Sequence, residues 1–321
     1  MLKISPDKTI QLKKFTVLFI NILLSILFLY PAYSKIYLIE ILENNLVDMG
    51  FVSWNLAPIF ASLLISFEFV LGVFLISQFK LKKITYPIAL FTLVFFIFYL
   101  LLSIHKYGNT GNCGCFGVQI MMTPLQGIYK NIIIIIIILL AYFLQSDIVV
   151  SFKFYLVFVI ITSVIAFSIP FILNPIAINE KGFIAEKIPH ILTLDSLYNE
   201  DSKISKQSLE LKNNKQIIAY LSMYCLHCKI AAQKLSLFKE KNPKLPIHFI
   251  LVGNKGLVAD FKKESKFKNI DYYFTSNKIL MKDTDASFPK IYMVDNSKAM
   301  KLCEKYYLID MDEIEAWLNE K

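Results

Sequence analysis

Polar residues are sparse and clustered over the first 178 positions. Between the clusters run five apolar stretches, at about 15–34, 56–78, 85–104, 128–146 and 154–173. Each approaches the roughly 20 apolar residues that a helix needs to cross the hydrocarbon core of a bilayer. The fourth contains an unbroken run of isoleucine, Ile132 to Ile138. β-Branched residues are mediocre helix formers in water, but in lipid the backbone must bond to itself, so a helix is still predicted. Lys130, at the outer end of that stretch, is expected to snorkel toward the headgroups. The first stretch follows Lys3, Lys8, Lys13 and Lys14 as a secretory leader would. Its apolar run is too long for one and no small-residue cleavage site stands out, so an uncleaved span is expected.

Beyond position 178 the pattern changes. Residues 179–212 are rich in Lys, Ser, Asp and Asn and read as a tether with short elements. QIIAYLS (216–222) and IHFILVG (247–253) are continuous apolar runs suited to buried central strands. A helical pattern follows the first, a helix is expected at about 255–265, and a further strand at 271–275. FPKIYMVD (288–295) predicts the next strand and MKLCEKYY an edge strand, the two joined as a hairpin through Asp295, Asn296 and Ser297. DMDEIEAWLNE closes the chain as a helix with Asp310 or Asp312 as its N-cap. Alternating strands and helices followed by a hairpin make a small α/β sandwich.

Composition sharpens this two-part division. The chain of 321 residues is 56% hydrophobic with a mean hydropathy of +0.53, too apolar for a soluble protein of its size. Residues 1–178 hold six acidic and eleven basic side chains, the remainder nineteen and twenty-three. All 34 basic residues are lysine. Without arginine there is no bidentate clamp on phosphate or guanine, which argues against a nucleic-acid partner. The lysines serve instead as topology signals. Lys3, Lys8, Lys13, Lys14, Lys80, Lys82, Lys83 and Lys153 fall on one side of the bilayer, against Lys35, Lys106 and Lys130 on the other, so the N-terminus is expected in the cytoplasm. Five crossings then put both the loop after the third span and everything beyond residue 178 outside.

The five cysteines form two close pairs plus Cys303, a spacing that suits redox chemistry better than structural staples. Cys225 and Cys228 lie where a buried strand hands over to a helix. Unpaired N–H groups at a helix N-terminus favour a thiolate, the reactive form. Cys225 is thus expected to attack and Cys228 to resolve, since Cys228, Ala231, Leu235 and Phe238 recur at helical spacing. A protonated His227 would favour the thiolate further; a plain surface role is the alternative. Pro289 precedes a strand. A cis bond there would present the backbone of Phe288 to the sulfurs, whereas a strand-initiating proline needs no such role. A closed zinc site takes about four ligands, and no second CxxC or HxxxH is present.

YCLHCK after a buried strand, with Phe-Pro before a later one, resembles the thioredoxin fold across residues 210–321. CLHC resembles the CPHC centre of periplasmic disulfide oxidases, with Leu226 in place of its proline and Tyr224 in place of the preceding tryptophan. The resemblance implies thiol-disulfide chemistry without its direction.

The second pair, Cys113 and Cys115, lies in GNCGCFG between the third and fourth spans. A Cys-x-Cys disulfide closes a small, strained and easily reduced ring, and Gly111, Gly114 and Gly117 permit the backbone it requires. Cu(I) ligation by Cys113, Cys115 and His105 is an alternative, as is a structural disulfide. Glu68, in mid-span, must be protonated, paired or turned to the bundle interior; it could handle protons beside the thiols or only pack helices. Cys303 alternates with Leu302 and Glu304 on a strand and reads as a buried, idle thiol.

AYSKI (Ala32 to Ile36), Glu68 with Gly72, and above all CGCFG resemble the MauE family of methylamine-utilisation membrane proteins, related to DoxX-like proteins, over residues 10–150. The resemblance implies a redox-associated membrane bundle. The expected organisation is a four-helix MauE/DoxX-like domain over 1–150, a fifth span over 151–178, a tether over 179–209 and a thioredoxin-like domain over 210–321. The expected activity is thiol-disulfide exchange linking Cys225 and Cys228 to Cys113 and Cys115 in the cytoplasmic membrane. Its clients would be extracytoplasmic protein thiols or disulfides, with a quinone as a candidate for the further donor or acceptor. A Cu(I)-handling module and a non-catalytic maturation scaffold are the other readings.

Overall fold

The computed structural model describes residues 6–110, 112–117, 119–145, 152–176, 180–186, 189–194, 197, 213–274 and 283–320. The chain divides into two compact units, Met1–Ile176 and Ala177–Lys321.

The first unit is helical: α1 (Pro6–Ile36), α2 (Ile39–Asp48), α3 (Ala57–Ile76), α4 (Tyr86–Tyr107), α5 (Pro124–Leu144) and α6 (Phe152–Leu173). All but α2 are long and apolar enough to cross a membrane. The isoleucine run shows how one helix serves two surroundings. Ile134 and Ile138 are buried in the bundle while Ile132, Ile133 and Ile136 are exposed, as expected of a span with one face on protein and the other on lipid. Its start carries a capping box, Thr123 and Gln126 each satisfying the other's backbone N–H, with Pro124 in the first turn. Close approach of α1 and α3 depends on small residues: Ser25 donates to the Gly72 carbonyl at 2.8 Å, and Leu29 fills the space a side chain at Gly72 would need.

Helix α2 escapes the sequence pattern because it is too short to span and turns polar residues, Asn44, Asn45 and Asp48, inward. It is tied to the end of α4, where Lys106 Nζ reaches Asp48 Oδ1 at 2.8 Å and the Tyr107 hydroxyl donates to the same carboxylate. Lys130 departs from the expectation that it snorkels outward. It stacks on the Phe116 ring, 4.6 Å from the centroid, and lines a cavity among the helices, the ring face giving the ammonium a cation–π contact.

The second unit is built on a six-stranded sheet of order β1-β6-β5-β2-β3-β4. Its strands are β1 (Phe183–Ala185), β2 (Lys215–Ser222), β3 (Ile247–Val252), β4 (Asp271–Phe274), β5 (Lys290–Asp295) and β6 (Lys298–Cys303). Strands β2, β3 and β4 are parallel, and β5 and β6 return antiparallel through a turn with Asn296 and Ser297 at positive φ. Helices α7 (Leu226–Lys241), α8 (Val258–Ser265) and α9 (Met311–Asn319) complete a thioredoxin-like domain, with Asp310 capping α9. The interior of β2, Gln216–Leu221, is buried without interruption, as a central strand requires.

Two readings are corrected here. Part of the stretch assigned to the tether belongs to this domain: β1 pairs antiparallel with β6, and Leu192, Leu194 and Leu197 enter its core. Thr193 is anchored to the buried Asp283, which also accepts from the Tyr220 hydroxyl at 2.8 Å. The sheet edge is consequently β1 and not β6, because Phe183, Leu192 and Leu194 are apolar and gain a cover in the domain that a solvated tether lacks. Residues 179, 187, 188, 195, 196 and 198–212 of that stretch lie outside the described residues. Cys303 faces Phe183 across this pairing; it is buried, and burial pushes its thiol up to about 12.

Candidate functional site

The first thiol pair sits where β2 runs into α7. Cys225 is the N-cap residue, extended and half-buried, and Cys228 lies within the first turn with no exposed surface. Ala231, Leu235 and Phe238 continue the same stripe into the core, also fully buried. The Ser222 N–H donates to Cys228 Sγ at 3.3 Å. Burial, and then the hydrogen bond to Cys225, push the Cys228 thiol well above the ordinary thiol range, so it stays protonated. Cys225 Sγ approaches the Phe288 carbonyl at 3.9 Å, and the Phe288–Pro289 peptide is cis. Pro289 thus directly follows the residue whose carbonyl Cys225 approaches. His227 turns to Tyr306, Nδ1 lying 2.7 Å from the hydroxyl with the rings tilted together.

The second pair is held by a loop between α4 and α5 that Asn112 organises. Its side-chain oxygen accepts from the Gly114 and Met122 N–H groups, and its amide donates to the Gly117 carbonyl at 2.9 Å. The Cys113 N–H donates to the Met122 carbonyl at 2.7 Å. Gly114 and Gly117 both adopt positive φ, and at Gly117 a Cβ would lie 2.9 Å from the Ser34 backbone oxygen. That close approach lets Ser34 Oγ donate to the Phe116 carbonyl at 2.6 Å and seats the loop on the end of α1. Gly111 lies outside the described residues. Both sulfurs pack against Gly127 of α5, each 3.3 Å from where its Cβ would stand. The Cys115 N–H donates to Cys113 Sγ at 3.3 Å.

Three charged side chains gather beside these sulfurs. Lys35 Nζ and Glu68 Oε1 form a buried ion pair at 2.5 Å, so Glu68 is paired within the bundle, and Lys130 stands over Phe116. The hydrogen bond from Cys113, aided by the positive charge of Lys130 and Lys35, outweighs burial and lowers the Cys115 thiol to about 7. The same hydrogen bond and burial raise Cys113. The two titrate as one unit whose first proton leaves Cys115. A cavity with about 940 Å³ of space, open mouth included, runs from these groups between α1, α2, α3, α4 and α5. Its wall is mostly apolar and rich in aromatic rings.

Of the residues expected at the site, Cys225, Cys228, His227 and Pro289 are gathered in the thioredoxin-like domain, and Cys113, Cys115 and Glu68 in the bundle. His105 is exposed in the last turn of α4, and among the described residues no three His, Cys, Asp or Glu side chains gather into a metal-holding group. It therefore does not complete a copper site with the two cysteines. Lys35, Lys130, Asn131, Asn112 and Tyr306 were not anticipated. Lysines inside or at the mouth of apolar spans were the available signal, since buried charge in a membrane segment marks function before topology.

The family described as Methylamine utilisation protein MauE matches residues 13–144, a region that includes Glu68, the whole cysteine loop and Lys130. Protein TlpB of Flavobacterium psychrophilum is 31% identical, over 77% of this chain and 79% of that protein.

Proposed function

Since the chain belongs to the TlpB-like family of MauE-domain membrane proteins, we propose that it is a membrane-bound thiol-disulfide oxidoreductase. The observation that carries this reading is a repeated asymmetry: each cysteine pair has one buried, protonated sulfur, Cys228 or Cys113, and one half-buried partner, Cys225 or Cys115. That is the division of labour between a resolving thiol and an attacking one.

In the oxidising direction a client thiolate attacks Cys225 of the Cys225–Cys228 disulfide, and Cys228 leaves as the thiol. A second client thiol then displaces Cys225, so the client gains one disulfide and the centre two thiols. The centre is restored when Cys225 attacks Cys115 of a Cys113–Cys115 disulfide. Cys228 then attacks Cys225, returning both electrons to the loop cysteines. Every step exchanges one S–S bond for another, and the same steps in reverse reduce a client.

Clients are protein thiols or disulfides outside the cytoplasm, with the N-terminus inside, as the lysine distribution argues. A Cys228→Ala variant tests the relay, since it cannot resolve a mixed disulfide. The expected product is a Cys225–Cys115 bond, detected by non-reducing mass mapping. If no bond from Cys225 to Cys115 or Cys113 forms under any redox condition, the relay is wrong.

A further inference from the structure

The cavity of the bundle contains polar atoms that the fold leaves without partners. Asn131 has no exposed surface, and among the described residues neither its Nδ2 nor its Oδ1 has a hydrogen-bond partner. Glu68 Oε2 is likewise without one, its other oxygen being held by Lys35. Both residues line the cavity. Buried amides and carboxylates are almost always satisfied, so an orphaned pair facing one cavity calls for a partner that the described residues do not supply.

Position says what that partner must meet. Asn131 lies four residues after Gly127, hence on the same face of α5, one turn along from the surface on which both sulfurs pack. The same cavity is lined by Phe28, Phe51, Phe95, Phe96 and Tyr99, a wall suited to a flat apolar ring. The occupant must therefore be planar and hydrophobic, accept a hydrogen bond from an amide, donate one to a carboxylate or amide oxygen after reaction, and exchange two electrons with a dithiol.

We propose that this cavity is a quinone site at which Cys113 and Cys115 are oxidised. A quinone carbonyl would accept from Asn131 Nδ2, and the hydroxyl formed on reduction would donate to Asn131 Oδ1 or Glu68 Oε2. In the step, both S–H bonds of Cys113 and Cys115 break and one S–S bond forms. The two electrons and two protons released convert the two carbonyls into the hydroxyls of a hydroquinone. Cys115 starts the reaction, being the sulfur whose proton leaves first. This inference rests on the reading of Cys113 and Cys115 as a redox pair, and it sets the direction as oxidation of clients.

The test uses the full chain, purified in detergent, with decylubiquinone as the probe. Saturable binding is expected, and under anaerobic conditions a reduced Cys225→Ser, Cys228→Ser protein should form one Cys113–Cys115 disulfide per hydroquinone produced. Asn131→Leu removes the orphaned amide without removing a side-chain hydrogen bond to the described residues. It should weaken binding about ten-fold, the loss of one buried hydrogen bond, while leaving the melting temperature of the probe-free protein equal or higher. A lowered melting temperature with unchanged binding would assign Asn131 to packing and overturn its role. Absence of saturable binding to the wild-type protein overturns the quinone site itself. If the Cys225–Cys115 bond still forms in Cys228→Ala, that failure leaves the exchange reading intact.

Discussion

Cys115 illustrates how a few neighbours change the acidity of a common side chain. Its sulfur is set on Gly127; the hydrogen bond from the Cys113 thiol, with the charges of Lys130 from α5 and Lys35 from α1, outweighs burial and the opposing charge of Glu68 from α3 and lowers it to about 7 from an ordinary value near 9. A lowered thiol is the thiolate above its folded value and loses that form as pH falls through it. Alkylation of Cys115 by iodoacetamide should therefore rise with a midpoint near pH 7, well below that of an unperturbed thiol. Lys130→Met should move the midpoint up by about one unit, because a stabilising positive charge is gone. Mass mapping of the alkylated cysteine across a pH series checks both, and an unchanged midpoint in the variant would remove Lys130 from the account. Cys303 is the contrast within the same chain: it is buried against Phe183, with burial pushing its thiol up to about 12.

At the level of elements, function depends on which face each helix buries. The stripe of Cys228, Ala231, Leu235 and Phe238 ties the Cys228 sulfur to the packing of α7 on the sheet. Leu235→Ala should cost about 2–5 kcal/mol, as large-to-small changes in a close-packed core do, measured by denaturant unfolding of the protein in detergent. A loss under 1 kcal/mol would mean that α7 is not held by this face. This stripe was legible from spacing alone, because helical periodicity needs only the chain. Helix α2 was not, since its inward residues include Asn44, Asn45 and Asp48 and its length is short of a span. Strand β1 was missed for a related reason: three residues, FIA, carry too little pattern to announce a pairing with β6.

Across the whole molecule the relay requires that both cysteine pairs open to one compartment. A maleimide that cannot cross membranes should label Cys115 and Cys225 from the same side of intact, reduced cells. Labelling of one from outside and the other only after lysis would exclude exchange between them. Among the described residues five helices are long and apolar enough to cross, an odd number, so one crossing each would put the end of the first unit opposite its start.

The spans, the division into two units, the central strands, the hairpin and both cysteine pairs follow from the order of residues alone. Each rests on local periodicity or on a motif a few positions long, and physics acting over that range is readable in one dimension. What required the tertiary structure was everything joining distant positions: Lys35 on Glu68, Lys130 beside Cys115, Gly127 beneath both sulfurs, and the orphaned amide of Asn131 one turn away. A buried charge or amide gains its meaning from groups that only folding brings within a few ångströms, since electrostatic and hydrogen-bond energies in a low-dielectric interior are decided by distance and burial and not by sequence separation.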